Sequence, residues 1–165
     1  MSLDDRIIDG VDRKILALLQ ENARTPNAEI ARQIGMAPSA ILERVRKLEE
    51  HGIIRGYQAE LDPKRLGWRL LAFVFVRGDE PPGSKRLGEE LAAIPEVQEV
   101  HHVAGEDCYL AKVRVADPAA LGALLRERIG ALATVRSTRS TIVLDTMKET
   151  GRLKIAEDGR EADGA

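Results

Sequence analysis

Apolar positions recur every three or four residues through three short stretches of the first fifty residues, then change to a period of two. Val11, Ile15, Leu16, Leu18 and Leu19 form the first helical stripe, which runs to about Asn22. Asp9 reads as its N-cap, with Asp12 in the first turn. Thr25-Pro26-Asn27 interrupts the pattern, and Asn27 can cap a second helix whose Ile30 and Ala31 point inward as far as Ile34. Gly35 suits a helix end that needs positive φ, and Pro38 stands where a first helical turn tolerates proline. Ile41, Val45 and Leu48 then repeat at helical spacing until His51-Gly52 stops them. Residues 53–61 alternate, with Ile54, Tyr57 and Ala59 among them, which predicts a short strand or hairpin beside the third helix, a wing.

The second half reads differently. Asp62-Pro63-Lys64-Arg65-Leu66-Gly67 is turn-like and is the expected boundary. Residues 68–77 (WRLLAFVFVR) have a strong β bias, 79–84 form a proline-rich loop, and 85–94 are helical with Leu87 and Leu91 four apart. Strands follow at 97–104 and 109–115, separated by a tight loop. Asp117-Pro118 starts a helix reaching about Ile129, and 135–144 is the last strand. The order β-α-β-β-α-β is the split βαβ, ferredoxin-like motif. The expected class is therefore α+β: a winged helix-turn-helix over 1–61, a hinge at 62–67, a ferredoxin-like α/β sandwich over 68–147 and a polar tail over 148–165, disordered from 157. The strand at 70–76 (Leu70, Leu71, Ala72, Phe73, Val74, Phe75, Val76) is apolar at both parities. Helices cover only one face of such a sheet, so the other face predicts a partner sheet and a homodimer.

Charge narrows the reading. The chain has a net charge of −2, which argues against coating nucleic acid by bulk charge. Positive charge is local instead: residues 24–56 hold six Lys/Arg against four Asp/Glu, three of the six being Arg44, Arg46 and Lys47. The single cysteine, Cys108, makes no internal disulfide and is expected as a small buried hydrophobe, and with only His101 and His102 near it no metal site or cofactor is expected. No secretory segment and no apolar run of about 20 residues is present, so a cytoplasmic protein without a membrane span is expected.

Two short helices joined by a glycine-containing turn, the second one basic, describe an element that enters the major groove of double-stranded DNA. If Ile41, Val45 and Leu48 are buried, then Ser39, Ala40, Glu43, Arg44, Arg46 and Lys47 lie on exposed faces, just after Pro38. Residues early in such a helix reach base edges, and later Arg and Lys reach phosphates. Ser39 can bond a base edge or phosphate, the Ala40 methyl can touch a thymine methyl, and Glu43 can accept from a cytosine amino group or pair with Arg46 or Lys47. The backbone at Asn27 and Ala28 can hold a phosphate. The alternative is a three-helix unit with a merely solvated basic face.

These residues resemble the Lrp/AsnC family of prokaryotic feast/famine transcription regulators. The resemblance rests on DGVDRKILALLQENAR, ILERVRKLEEHGIIRGY, AELDPKRLG, HHVAGEDCYLAKVRVAD and STRSTIVLDT, in that order, from about Asp9 to Thr146. It implies DNA binding by the first domain, pairing of subunits through the second, frequent assembly of dimers into octamers, and an amino acid as small-molecule effector bound between dimers. By resemblance the effector loop is Gly105, Glu106, Asp107, Cys108 and Tyr109. Gly105 would leave N–H groups for a carboxylate, Glu106 or Asp107 would hold an ammonium, and Thr138 and Ser140, two apart on one strand face, would complete a polar rim. Two departures stand out. Ala37 stands where relatives often have serine before Pro38, removing a cap worth about 1 kcal/mol, and many relatives have an aromatic-Asp pair where this chain has Asp107-Cys108, while another branch carries the Glu-Asp-Cys form seen here. Two other readings share the scaffold: a sirohaem-decarboxylase-like enzyme using His101 or His102, and a ligand-binding module with a vestigial helix-turn-helix.

Overall fold

In the computed structural model, which describes residues 8–81, 83–105 and 108–155, the chain forms two compact units. One comprises Met1–Glu60 with Thr150–Ala165, the other Leu61–Glu149. Residues 1–7 and the tail predicted as disordered from 157 lie outside the described residues.

The first unit holds α1 (Gly10–Glu21), α2 (Asn27–Ile34) and α3 (Pro38–Glu50) around Ile15, Ile30, Ala31, Ile41, Val45 and Leu48. The periodicity placed this core correctly because an amphipathic helix can bury only one stripe. Asp9 caps α1 as expected, and does so reciprocally: its carboxylate accepts the Asp12 N–H at 2.8 Å while Asp12 accepts the Asp9 N–H at 3.1 Å. The expected Asn27 cap is not made. Pro26 holds the N-cap position of α2 with extended backbone, and Asn27 is already the first helical residue. Gly35 ends α2 at φ +80°, a region that costs a side chain about 1–2 kcal/mol. Its N–H bonds the Ala31 carbonyl at 2.9 Å, which turns the chain toward α3.

The predicted wing is not a strand. Residues 55–61 are exposed and, among the described residues, have no ladder partner. Alternation alone does not make a strand, because each extended backbone needs a neighbour for its N–H and C=O groups. This stretch is held by local bonds instead: Ile53 and Ile54 N–H groups reach the Leu48 carbonyl, and the Tyr57 hydroxyl donates to Glu49 at 2.9 Å.

The second unit is a four-stranded antiparallel sheet in the order β2-β3-β1-β4, with β1 at Leu70–Gly78, β2 at Val97–His102, β3 at Tyr109–Val115 and β4 at Val135–Ile142. The helices α4 (Arg86–Ala92) and α5 (Pro118–Ala123), with the turn that follows α5, bring Leu87, Leu91, Leu121 and Leu124 onto Ala72, Val74, Val76, Ala111, Val113 and Val115. This is the expected ferredoxin-like order. Asp117 caps α5 through the Ala120 N–H at 2.8 Å. The helix predicted to run evenly to Ile129 widens into a π-helical turn over Leu124–Ile129, closed by the Gly130 N–H on the Leu125 carbonyl at 2.9 Å.

On the opposite face of the sheet, Phe73 and Phe75 are half-buried beside Leu110, with Lys112, Arg114 and Arg139 among them. Arg139 lies over the Phe75 ring, 4.0 Å from its centroid. The second face is thus less uniformly apolar than the parity of β1 alone suggests.

Candidate nucleic-acid interface and ligand site

The third helix presents two kinds of residue. Ile41, Val45 and Leu48 are buried, while Pro38, Ser39, Leu42, Glu43, Arg46 and Lys47 are exposed and Ala40 is half-buried. Ala37, as its sequence suggests, supplies no side-chain cap; its carbonyl accepts the Ala40 and Ile41 N–H groups. Arg46 pairs with Glu50 at 2.8 Å and Lys47 with Glu43 at 3.6 Å, both one helical turn away and both exposed. Such pairs contribute about 0.3–0.5 kcal/mol, so they yield readily to a phosphate. Leu42, 58% exposed, is a surface residue that motif reasoning passed over; its signal is that it stands outside the buried stripe.

Arg44 departs from expectation. It is not a free cation on an exposed face: its Nη1 lies 2.8 Å from both Asp9 and Asp12, bridging the capping box of α1. Asp12 is buried at 7% exposure, so it needs that partner. Spacing along one helix could not reveal this, because the partners lie 35 and 32 residues away. The Asp12 N–H, then Arg44, hold the Asp9 carboxyl below its ordinary range, outweighing the effect of its partial burial. A depressed carboxylate contributes stability above its unfolded pKa, near 4, and loses it as pH falls through the lower folded value. Thermal melts of the full chain should therefore show the helical unit weakening below about pH 4. Asp9→Asn, which keeps the cap without the charge, should flatten that slope; an unchanged slope would refute the assignment. The effect should stay below about 1 kcal/mol, because the Asp9 side chain is 53% exposed.

In the sheet unit, Gly105 turns the β2–β3 connection at φ +128°, and the Val103 N–H bonds the Cys108 carbonyl at 3.0 Å. Glu106 and Asp107 lie outside the described residues. Cys108 is a free, half-buried thiol, its Sγ 3.8 Å from the Gly78 carbonyl oxygen. Tyr109 is buried against the His102 ring at 5.1 Å, and its hydroxyl donates to Glu80 at 3.3 Å. Burial, then the Glu80 carboxylate, pushes its pKa up. Val76 of β1 pairs with Tyr109 on one side and Thr138 on the other, and Val74 pairs with Ser140. Tyr109, Val76 and Thr138 therefore form one row on one face, spanning two strand spacings or about 10 Å. Thr138 and Ser140 are exposed on the edge strand, with hydroxyls on that face.

A three-helix unit with a basic second helix of the turn motif, joined to a ferredoxin-like sheet, defines a two-domain DNA-binding regulator. Comparison makes the class specific. Residues 8–49 match the AsnC-type helix-turn-helix domain and residues 71–153 the Lrp/AsnC ligand binding domain. The chain is 39% identical over 151 residues to a leucine-responsive regulatory protein of Klebsiella pneumoniae, covering 90% of this chain and 92% of that one. It is similar in structure to a feast or famine regulatory protein from M. tuberculosis complexed with L-methionine, at TM-score 0.82, 38% identity and 94% and 100% coverage of the two chains. A transcriptional regulator–L-Met complex from Neisseria meningitidis gives TM-score 0.80 at 31% identity, covering 89% and 96%. The chain belongs to the Lrp/AsnC family of transcription regulators, and it is a sequence-specific DNA-binding member. No helix among the described residues is long and apolar enough to cross a membrane.

Proposed function

We propose that α3 reads the major groove with Pro38, Ser39, Ala40 and Glu43 near its start, while Arg46 and Lys47 hold phosphates and the α2 backbone at Asn27 holds another. The observation that carries this is the exposed row Ser39, Glu43, Arg46 and Lys47 opposite a buried stripe, with both cations held by weak surface pairs. The reading head is residues 1–61, the hinge 62–67, and the sheet domain 68–147 pairs subunits through the face bearing Phe73 and Phe75. Selection from a random duplex pool, followed by titration across salt, tests it. Specific binding should weaken steeply as salt rises, because phosphate contacts release counterions. A salt-independent or absent interaction would sink it.

Gly105, Cys108, Tyr109, Thr138 and Ser140, together with Glu106 and Asp107, form the proposed amino-acid site. The solved relatives bound to L-methionine support that chemistry. The protein works as a regulator and not as an enzyme, in the cytoplasm, and its ligand acts by preferring one assembly or one head arrangement over another. Phe75→Glu is expected to dissociate the dimer at micromolar concentration in light-scattering measurements, because it places a charge on the pairing face; a dimer that persists would refute the assignment of that face.

A further inference from the structure

Among the described residues, the helical unit exposes three large apolar side chains: Leu42, Tyr57 and Leu153. Two of them have polar anchors nearby. The Tyr57 hydroxyl donates to Glu49 at 2.9 Å. Leu153 is tied to α1 through its backbone, the Gln20 carboxamide accepting its N–H at 2.7 Å and donating to its carbonyl at 3.0 Å. Leu42 is different. It stands on α3 itself, 58% exposed, one residue after the buried Ile41 and three before the buried Val45. An isolated exposed leucine is ordinary on a protein surface; the place of this one is not. Ser39, Leu42, Glu43 and Arg46 follow at i, i+3, i+4 and i+7, the spacing of one helix face, and all four are exposed. At 3.6 residues per turn, Leu42 lies about 60° around the helix from Ser39 and about 40° from Arg46. From Pro38 to Leu42 the helix carries no formal charge, and Arg46 and Lys47 come one turn later. The leucine is thus set between the hydroxyl assigned to base edges and the cations assigned to phosphates.

We propose that Leu42 is a specificity residue, which selects one thymine in each half-site by packing on its C5-methyl group. This rests on the reading of α3 as the DNA-contacting element. The thymine methyl is the apolar group of the major groove; the other base edges there present hydrogen-bond donors and acceptors. A leucine side chain can neither donate nor accept. Set against guanine or adenine, it strips water from the N7 and O6 acceptors or the amino donor and returns no hydrogen bond, which costs affinity. Set against thymine, it buries a methyl group, which raises affinity by a factor of about four. Leu42 therefore favours thymine both by attraction and by rejecting the purines, while Arg46 and Lys47 fix the register in which it is read.

The test uses the full chain and the duplex selected from a random pool, with each thymine replaced in turn by uracil, which removes the methyl group and leaves the pairing edge intact. Fluorescence anisotropy would compare the unaltered protein with Leu42→Ala and Leu42→Met. In the unaltered protein, one thymine per half-site should lose about fourfold in affinity on replacement. Leu42→Ala should bind the thymine and uracil duplexes alike at that position and keep the ordinary response at every other. Leu42→Met, which retains a long apolar side chain, should recover at least twofold discrimination. A residue that merely supports the fold would weaken both duplexes equally, so equal losses with the thymine preference retained would overturn the proposal. So would an unaltered protein indifferent to every methyl group. The joint Arg46→Glu, Lys47→Glu variant separates this inference from the one beneath it. If that variant loses binding while no methyl group couples to Leu42, the thymine contact is wrong and the reading of α3 stands. If it binds as the unaltered protein does, the reading of α3 fails and the role of Leu42 falls with it.

Discussion

Reversing Arg46 and Lys47 together to glutamate should lower the affinity for a selected duplex by at least a hundredfold while leaving the fold intact. Each phosphate contact contributes about 0.9 to the slope of log K against log salt, so losing two per head, or four per dimer, should flatten that slope by roughly 3.6. The cost to stability should be small. Among the described residues they pair with Glu50 and Glu43 across exposed turns of the same helix, and losing both pairs costs about 1 kcal/mol even with the new repulsion. The decisive comparison is a binding titration at several salt concentrations beside a thermal melt of the same preparation. If the double variant binds as tightly and with the same slope, phosphates are held elsewhere. If it binds weakly because it has unfolded, the melt will say so.

Arg44→Leu should do the reverse. Its guanidinium satisfies Asp12, which is buried, and Asp9, which caps α1. Removing one partner of a largely buried pair leaves the other desolvated and unmet, at a cost of about 2–3 kcal/mol here. For a unit of this size that lowers the melting midpoint by roughly 10–20 °C. DNA affinity per folded molecule should fall by less than about threefold, since the side chain is turned toward α1. A variant that melts normally but fails to bind would return Arg44 to the DNA-contacting set, where its neighbours in sequence suggested it belonged. The two experiments separate three cations that lie within four residues of one another and look alike in the sequence.

That pair of cases marks the boundary of what the amino-acid order conveys. The stripes at Ile15, Ile30 and Ile41, the αL glycine at Gly35, the proline opening α3 and the order of strands are local signals. Each follows from a period or from a single backbone preference, and each is present in the structure. The partner of Arg44 and the partner of Gln20 are different in kind. They lie 32 and 133 residues away, and only the folded chain brings them together. The wing failed for a related reason: alternation at Ile54, Tyr57 and Ala59 is local, but a strand is defined by its neighbour. The ligand site was only partly legible. Thr138 and Ser140 share a face because strands have a period of two, whereas the row linking Thr138 to Tyr109 through Val76 depends on a register that no single segment encodes.

The widened turn closing α5 carries a lesson for alterations in chain length. Leu121 and Leu124 face the sheet, and a regular helix would next bring Arg128 inward; the extra residue rotates Arg128 out to water and Ile129 into the core. One amino acid is thus stored there without a contact of its own. Removing Glu127 would tighten the coil to ordinary pitch and keep Ile129 seated, so a deletion at that place should be absorbed.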